Sequence, residues 1–436
     1  MSAFEFKRRT YLHFDWPITR RAAQELATEP ANVATHDFFP FLGYTMTTKR
    51  YKKNEEGNLE VSPKDRDIRY AAHADAAIYS YYSHLLSVRY EAELDRRGLT
   101  EVVSAFRSDR GTNIHIAKEV FDFCKQNRPC VALALDIKGF FDNLNHAVLK
   151  QAWKDLIGEQ RLPDDHYAVY RSLTRYCWVD QKEARKALQL DRKPLLPHQR
   201  RNRLCTVRQF REVIRGGGLL KFGGRKRKGI PQGSPLSALL SNLYMLAFDD
   251  RVNQAVNSVG GLYRRYCDDI MVVVPPENMP DIEALIAEEL SAIRLKSHPD
   301  KRQVAEFPLS GPIDGSILPY LGFTYNGETI RLRDASLNRY YGKMRRAVRL
   351  AKASQRKANQ KEIAEGKPPN SLKTAKLYRR YSYLATRRTP KAKQAHGNKN
   401  FITYALRAAD IMGSQAIRKQ IRPHWRKLQA EIDEAP

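Results

Sequence analysis

Three aspartates carry the sharpest chemical signal in this chain. Asp136 closes the apolar run CVALALD (Cys130–Asp136), and Asp268 and Asp269 sit together in YCDDIMVVV. Both runs are short, rich in aliphatic or β-branched residues and flanked by turn formers, so each predicts a buried strand with acid at its end. Packed side by side, the two strands would bring the carboxylates together. Unpaired carboxylates that close repel one another, and a cation must neutralise them. Oxygen-only ligands of high charge suit magnesium, with manganese as a substitute. Two such ions can activate a hydroxyl and stabilise a leaving pyrophosphate. Taken alone, an Asp-Asp pair on a turn is more simply solvated, so the argument depends on the surrounding sequence.

The elements that must position these acids follow from periodicity. Gly261–Val274 predicts a β-hairpin with Asp268 and Asp269 at its tip. A helix should start near Asn145, where NHAVLKQAWKDLIG has helical spacing, and another at Pro235, in PLSALLSNLYMLAFDDRVNQ. Between them, residues 158–215 look mostly helical and basic, and GGGLLKFGGRKRKGIPQGSP must be a loop or hairpin. His73–Asp95 predicts a helix whose tyrosines pack inward, and Pro280–Ile293 an amphipathic helix. Ser316–Leu332 predicts a hairpin turning at Asn326-Gly327. Beyond Ser336 the chain reads as basic helices with interleaved tyrosines, broken at GKPPN (Gly366–Asn370) and TPKAKQAHGN (Thr389–Asn398). Asp249 and Asp250, late in a helix, are expected to be solvated, and His146 to pack or cap.

Charge points to the partner. The 436 residues carry a formal net charge of +28. From Ala335 onward 25 Lys/Arg face 6 Asp/Glu, so +19 of that total lies in the last quarter. A basic region of this kind attracts polyanions, and Arg/Lys at helical spacing with Tyr between suits phosphates and bases. Five cysteines, none in a CxxC pair, argue against a disulfide framework or a structural zinc and fit a reducing cytoplasm. No apolar stretch is long enough for a membrane span, so no membrane association is expected. The length suits two or three subdomains.

Three segments in order now gain meaning together. DIKGFFDNLNH, GIPQGSPLSALLSNLYM and YCDD resemble motifs A, B and C of reverse transcriptases, most like those of group II introns, retrons and their bacterial relatives. The resemblance spans roughly residues 63–323. It implies an α+β right-hand polymerase fold: an N-terminal region with fingers (1–129), a palm with an antiparallel sheet (130–334) carrying a fingers insertion at about 155–228, and a basic helical thumb (335–436).

The resemblance also implies roles. Asp136, Asp268 and Asp269, with the carbonyl of Ile137, would hold two magnesium ions, Asp269 in support. Phe141, five residues after Asp136, stands where the family has its sugar gate, and a bulky ring there favours dNTPs. Phe140 better suits the core, and Asp142 a brace. Gln232 would line the nucleotide pocket, and the glycine after it would let the template approach. KDRDI (Lys64–Ile68) and AFRSDRGTNIHIA (Ala105–Ala117) resemble the fingers motifs, so Arg66, Arg107 or Arg110 would clamp the triphosphate. Lys301, in LKSHPDKRQ, would protonate the leaving pyrophosphate, and Leu321, Gly322 and Phe323, in YLGF, would form a primer grip. Cys267 could touch the primer end, without thiol chemistry.

The expected activity is RNA-directed DNA synthesis from dNTPs on an RNA template. No nuclease, zinc or RNase H pattern follows the thumb. The compact motif set is most similar to the defence-associated ("unknown group") bacterial reverse transcriptases that use an adjacent structured noncoding RNA. A group II intron maturase-like RNA-binding protein and a retron enzyme remain alternatives. Template, priming, product and oligomeric state are not legible.

Overall fold

The computed structural model describes residues 4–53, 59–107, 110–190, 202–224, 226–386 and 400–434. Two short helices, α1 (Arg20–Thr28) and α2 (Pro30–Ala34), lead to a long antiparallel hairpin, β1 (Phe41–Lys53) and β2 (Leu59–Tyr70). Helices α3 (His73–Arg96) and α4 (Asn113–Gln126) follow, then β3 (Cys130–Asp136). Next come α5 (Phe140–Asn143), α6 (His146–Ile157), α7 (Asp164–Thr174), β4 (Cys177–Asp180) and α8 (Gln181–Ala187). After α9 (Val207–Gln209), continued by a π turn over Phe210–Arg215, come β5 (Lys221–Phe222), α10 (Ser237–Tyr244) and α11 (Leu246–Ser258). The hairpin β6 (Leu262–Tyr266) and β7 (Asp269–Val274) leads through α12 (Met279–Ala292) to β8 (Gln303–Phe307). Strands β9 (Leu318–Tyr320), β10 (Phe323–Tyr325) and β11 (Ile330–Leu332) precede α13 (Asp334–Ala364), α14 (Ala375–Tyr381), α15 (Phe401–Ile411), α16 (Gln415–Ile421) and α17 (His424–Asp433). The expected α+β class is borne out.

The central sheet has the order β6-β7-β3-β8, and all its pairings are antiparallel. Side chains alternate across it. Leu133, Leu135, Ile270 and Val272 enter a core with α3, α6, α10, α11 and α12, while Ala132, Met271 and Val273 enter another with α4, β9–β11 and the C-terminal helices. Burial on both faces explains why β7 is a continuous apolar run and not an alternating one. A second sheet, β2-β1-β4-β5, and a three-stranded one, β11-β10-β9, flank it.

Several local expectations need correcting. The helix expected from Pro235 is two helices that break at Met245. Residues 158–215 include a strand, β4, which pairs in parallel with β1 through Leu42 and Val179. A four-residue strand supplied by a distant partner leaves little periodicity to read. The Ser316–Leu332 region makes two turns, at Leu321-Gly322 as well as after Tyr325, so three strands replace the hairpin. The GKPPN break does separate α13 from α14. TPKAKQAHGN lies outside the described residues. The α3 tyrosines Tyr79, Tyr82 and Tyr90 are buried, as expected. Among the described residues no helix is long and apolar enough to cross a membrane.

Candidate active site

The register of β3 and β7 sets Asp136 directly opposite Asp269. Asp268 occupies the two-residue turn before β7, with Cys267, whose φ is +59°. The hairpin tip is therefore Cys267-Asp268, and Asp269 already belongs to the strand. The Asp268 carbonyl accepts the Ile137 N–H at 3.0 Å, which ties the turn to the end of β3. Two more backbone bonds lace the segment before Lys301 onto that same end. The His298 N–H donates to the Asp136 carbonyl at 2.7 Å and the Lys138 N–H to the Lys296 carbonyl at 3.0 Å. Lys301 thereby reaches Asp136, and its ammonium donates to the Asp136 carboxylate.

The electrostatics of this end are dominated by excess negative charge. Burial, then the charges of Asp268 and Asp136, push the Asp269 carboxyl up to about 7, against the smaller opposing pull of Lys301 and Arg333. Among the described residues no three His, Cys, Asp or Glu side chains converge closely enough to cage a metal ion as they stand. Lys301 supplies the counter-charge instead. The donor set still fits a hard divalent cation: carboxylate oxygens only, half-buried, with repulsion that one lysine only partly relieves. Burial and Asp268 raise the Cys267 thiol to about 12, so it stays protonated at neutral pH.

A second group of residues converges beside these acids. The Ile230 N–H donates to the Phe141 carbonyl at 3.0 Å, and the Gly229 N–H to the Leu144 carbonyl at 2.9 Å, which seats the loop before Gln232 on α5. The Gln232 carbonyl accepts the Arg69 N–H of β2 at 2.8 Å. Gly233 has φ +118°, and a Cβ there would lie 2.7 Å from the Arg69 carbonyl. This glycine is thus required by the close approach of β2. Phe141 is half-buried against the core, Phe140 is buried, and Arg66 is half-buried on β2. His146 is buried, with Nε2 at 2.8 Å from the Gly229 carbonyl, as a packed residue should be.

Two nominated arginines are engaged within the protein. The Arg107 side chain is 5 % exposed. Its guanidinium bonds the Glu91 carboxylate at 2.8 Å and the Val103 carbonyl at 2.6 Å, and also the Thr100 carbonyl. Arg110 pairs with Glu101 and Glu119. Carboxylates on α3, on α4 and in the intervening loop engage both forks. In the nominated primer grip, Leu321 (φ +45°) and Gly322 (φ +96°) make a tight turn. Its carbonyls accept from the Asn113 side chain at 2.9 Å and the Arg333 N–H at 3.0 Å. Phe323 is fully buried and can act only through packing.

The structure also adds residues. Asp249 is not solvated: it and Arg265 are fully buried and paired, Nη2 to Oδ2 at 2.6 Å and Nε to Oδ1 at 2.7 Å. Burial alone would favour a neutral Arg265, but the Asp249 charge and hydrogen bonds overcome this and hold it protonated. Tyr263 donates to Asp249 at 2.6 Å. Arg265 Nη1 donates to the Asn242 side-chain oxygen at 3.2 Å and to the Cys267 carbonyl at 3.0 Å, so this network holds the Cys267-Asp268 turn. The signal was present in sequence. Met245, Asp249, Val252 and Val256 share one helical stripe, so an acid there sits among apolar residues.

With the geometry in place, comparison with known proteins becomes informative. Residues 196–325 match the family profile described as reverse transcriptase (RNA-dependent DNA polymerase). The chain thus carries a reverse-transcriptase-type segment, which includes Gln232, Asp268, Asp269, Lys301 and Leu321–Phe323; Asp136 precedes it. No curated protein matches. Among solved structures, apo telomerase from Candida tropicalis truncated from its C-terminal domain aligns with TM-score 0.41 and 10 % identity, over 73 % of this chain and 61 % of that one. Telomerase from Candida albicans with a fragment of telomeric RNA gives TM-score 0.40 and 15 % identity, over 74 % and 52 %. An RNA-dependent RNA polymerase of a human picobirnavirus gives TM-score 0.37 and 13 % identity, over 66 % and 43 %. The chain spans less than two thirds of the length of these solved chains.

Proposed function

We propose that this protein is an RNA-directed DNA polymerase, in which β3, β6 and β7 form the palm, the β1–β2 hairpin belongs to the fingers, and α13–α17 make the thumb. The observation that carries the reading is the pairing of Asp136 with Asp269 across adjacent strands, with Asp268 in the intervening turn. The reverse-transcriptase match over the second of these segments supports it.

Asp136, Asp268 and Asp269, with the Ile137 carbonyl, are the residues that would hold two magnesium ions. When bound, such ions lower the pKa of a primer 3′-hydroxyl and neutralise the leaving pyrophosphate. Lys301, whose ammonium donates to the Asp136 carboxylate, is the residue that would protonate the pyrophosphate. Phe141 closes the space beside the sugar and selects dNTPs. Gln232, anchored to β2, lines the nucleotide pocket, and Arg66 is the remaining fingers candidate for the triphosphate. The basic helices follow the phosphates of an RNA template and its DNA product.

The grouping we favour is the bacterial defence-associated one, with a structured noncoding RNA as template and a reducing cytoplasm as its setting. Five free cysteines suit that compartment. An intron maturase-like role is the second reading, because the concentration of positive charge in the thumb is independent of the carboxylates. One experiment separates them. The full chain is purified from cells, and the bound RNA and DNA are sequenced, beside an Asp268→Ala/Asp269→Ala variant. Polymerase function predicts bound DNA only in the unaltered protein and RNA in both. Equal DNA in the two preparations sinks the proposal.

A further inference from the structure

Phe106 combines three properties that ordinarily exclude one another. Its ring is 58 % exposed. Its φ is +63°, a left-handed conformation that a bulky L-residue keeps only where its surroundings impose it. Its surroundings do impose it. On one side, the Ser104 N–H donates to the Arg265 carbonyl at 3.0 Å, and the Ala105 carbonyl accepts from Asn242 Nδ2 at 2.9 Å. On the other, Arg107 is buried and held by Glu91 and by the Thr100 and Val103 carbonyls. The backbone before the exposed ring and the Arg107 side chain after it are both held. Strain of this kind gathers where a side chain has to be presented.

The ring is presented at a particular place. Val103 forms an isolated parallel bridge with Arg265 at the end of β6, and the chain turns at Ala105 and Phe106. Phe106 thus follows directly on a segment tied to the strand that leads into the Cys267-Asp268 turn. A hydrogen-bonded relay fixes that relation. Asn242 bonds the Ala105 carbonyl with its amide nitrogen and Arg265 with its oxygen, and Arg265 holds the Cys267 carbonyl. Further on, the same connection reaches α4, where Asn113 holds the Leu321 carbonyl of the nominated primer grip. The Gln232 pocket lies against β2.

We propose that Phe106 is a stacking platform for the primer strand, its ring face taking the base or ribose of a nucleotide beside the growing 3′ end. This rests on the polymerase reading above and deepens it. An aromatic face binds any base, so the platform grips the strand without reading its sequence. The held backbone means that the segment carrying the ring loses little freedom on binding.

The test uses the full chain with a primer–template duplex carrying 2-aminopurine at the primer terminus. Phe106→Ala should weaken duplex binding about tenfold, the scale of one lost base–aromatic stack. It should alter the 2-aminopurine fluorescence of the bound duplex and leave the KM for dNTP within about twofold. Phe106→Trp should restore binding, which a merely structural role would not. A photoreactive benzoylphenylalanine at position 106 should crosslink to the primer. Crosslinking only to the template, or duplex affinity unchanged in Phe106→Ala, overturns the platform. Binding and crosslinking are repeated in the Asp268→Ala/Asp269→Ala background. Crosslinking retained there, with no incorporation by the unaltered protein, would overturn the polymerase reading and leave the platform standing.

Discussion

Two carboxylate–cation pairs lie within a few residues of the same turn, and they differ in kind. Asp249 and Arg265 are both fully buried, and their remaining polar atoms are taken up by Tyr263, Asn242 and the Cys267 carbonyl. Asp136 and Lys301 are 18 % and 31 % exposed, at the open end of β3. The first pair has no route to water or to another partner. The second can exchange its cation. One pair builds the turn, and the other holds a site ready for what binds there. Proximity to the catalytic acids therefore does not settle a carboxylate's role; access to solvent does.

The sharpest way to break this comparison is to remove one acid from each pair. Asp249→Ala leaves a buried guanidinium uncompensated and should cost about 3–5 kcal/mol, read as a fall in the denaturant midpoint. Asp136→Asn should leave that midpoint nearly unchanged and abolish nucleotide incorporation. If both variants behave alike in both assays, the distinction fails. The double variant Asp249→Leu/Arg265→Met sharpens it further. Apolar replacement of a buried pair often recovers stability, yet the Cys267 carbonyl loses its donor. That protein should fold and incorporate nucleotides more slowly, with the defect in kcat.

Lys301→Met tests the exchangeable pair. Without the ammonium, Asp136 no longer has to give up a partner before binding a divalent ion. Manganese binding to the nucleotide-free protein, followed by electron paramagnetic resonance, should tighten several-fold, while incorporation slows for want of the proton donor. The order-of-magnitude basis is one partly exposed ion pair, worth about 1 kcal/mol. Weaker manganese binding would show that Lys301 organises the site and does not compete for it.

The basic C-terminal helices should respond more gently still. Arg345, Arg349, Lys352 and Arg356 line one recess between α13 and α17. Changing all four to Gln removes up to four phosphate contacts. The slope of log affinity against log salt should then become shallower by about three to four, with the dNTP KM unaltered. An unchanged slope would place the nucleic acid on another face.

How much of this was legible beforehand follows from where the information sits along the chain. The strand ending at Asp136 and the hairpin at Asp268 are written in contiguous residues, so their existence and their acids could be read directly. Their exact pairing could not, because register is fixed by two apolar faces built from distant helices. Helix α3 was recoverable to within a residue, since its tyrosines recur at helical spacing. Strand β4 was not, since what makes it a strand is Leu42, more than a hundred residues earlier. The partners of Arg107 and Arg110 were not legible for the same reason. A motif fixes an arginine's position in the chain, but Glu91, Glu101 and Glu119 decide where its fork points.

Arg107 supplies the smallest of the expected effects and the finest test of that lesson. Its guanidinium serves one carboxylate and two carbonyls, so Arg107→Ala should cost about 2 kcal/mol of stability. The dNTP KM should stay within about twofold, because none of those bonds faces a nucleotide. Arg107 also forms one side of the clamp on Phe106. Loosening it should therefore weaken duplex binding less than Phe106→Ala does, and by the same change in 2-aminopurine fluorescence. A tenfold rise in dNTP KM at unchanged stability would return Arg107 to the triphosphate. It would also show that the side chain leaves Glu91 when substrate binds.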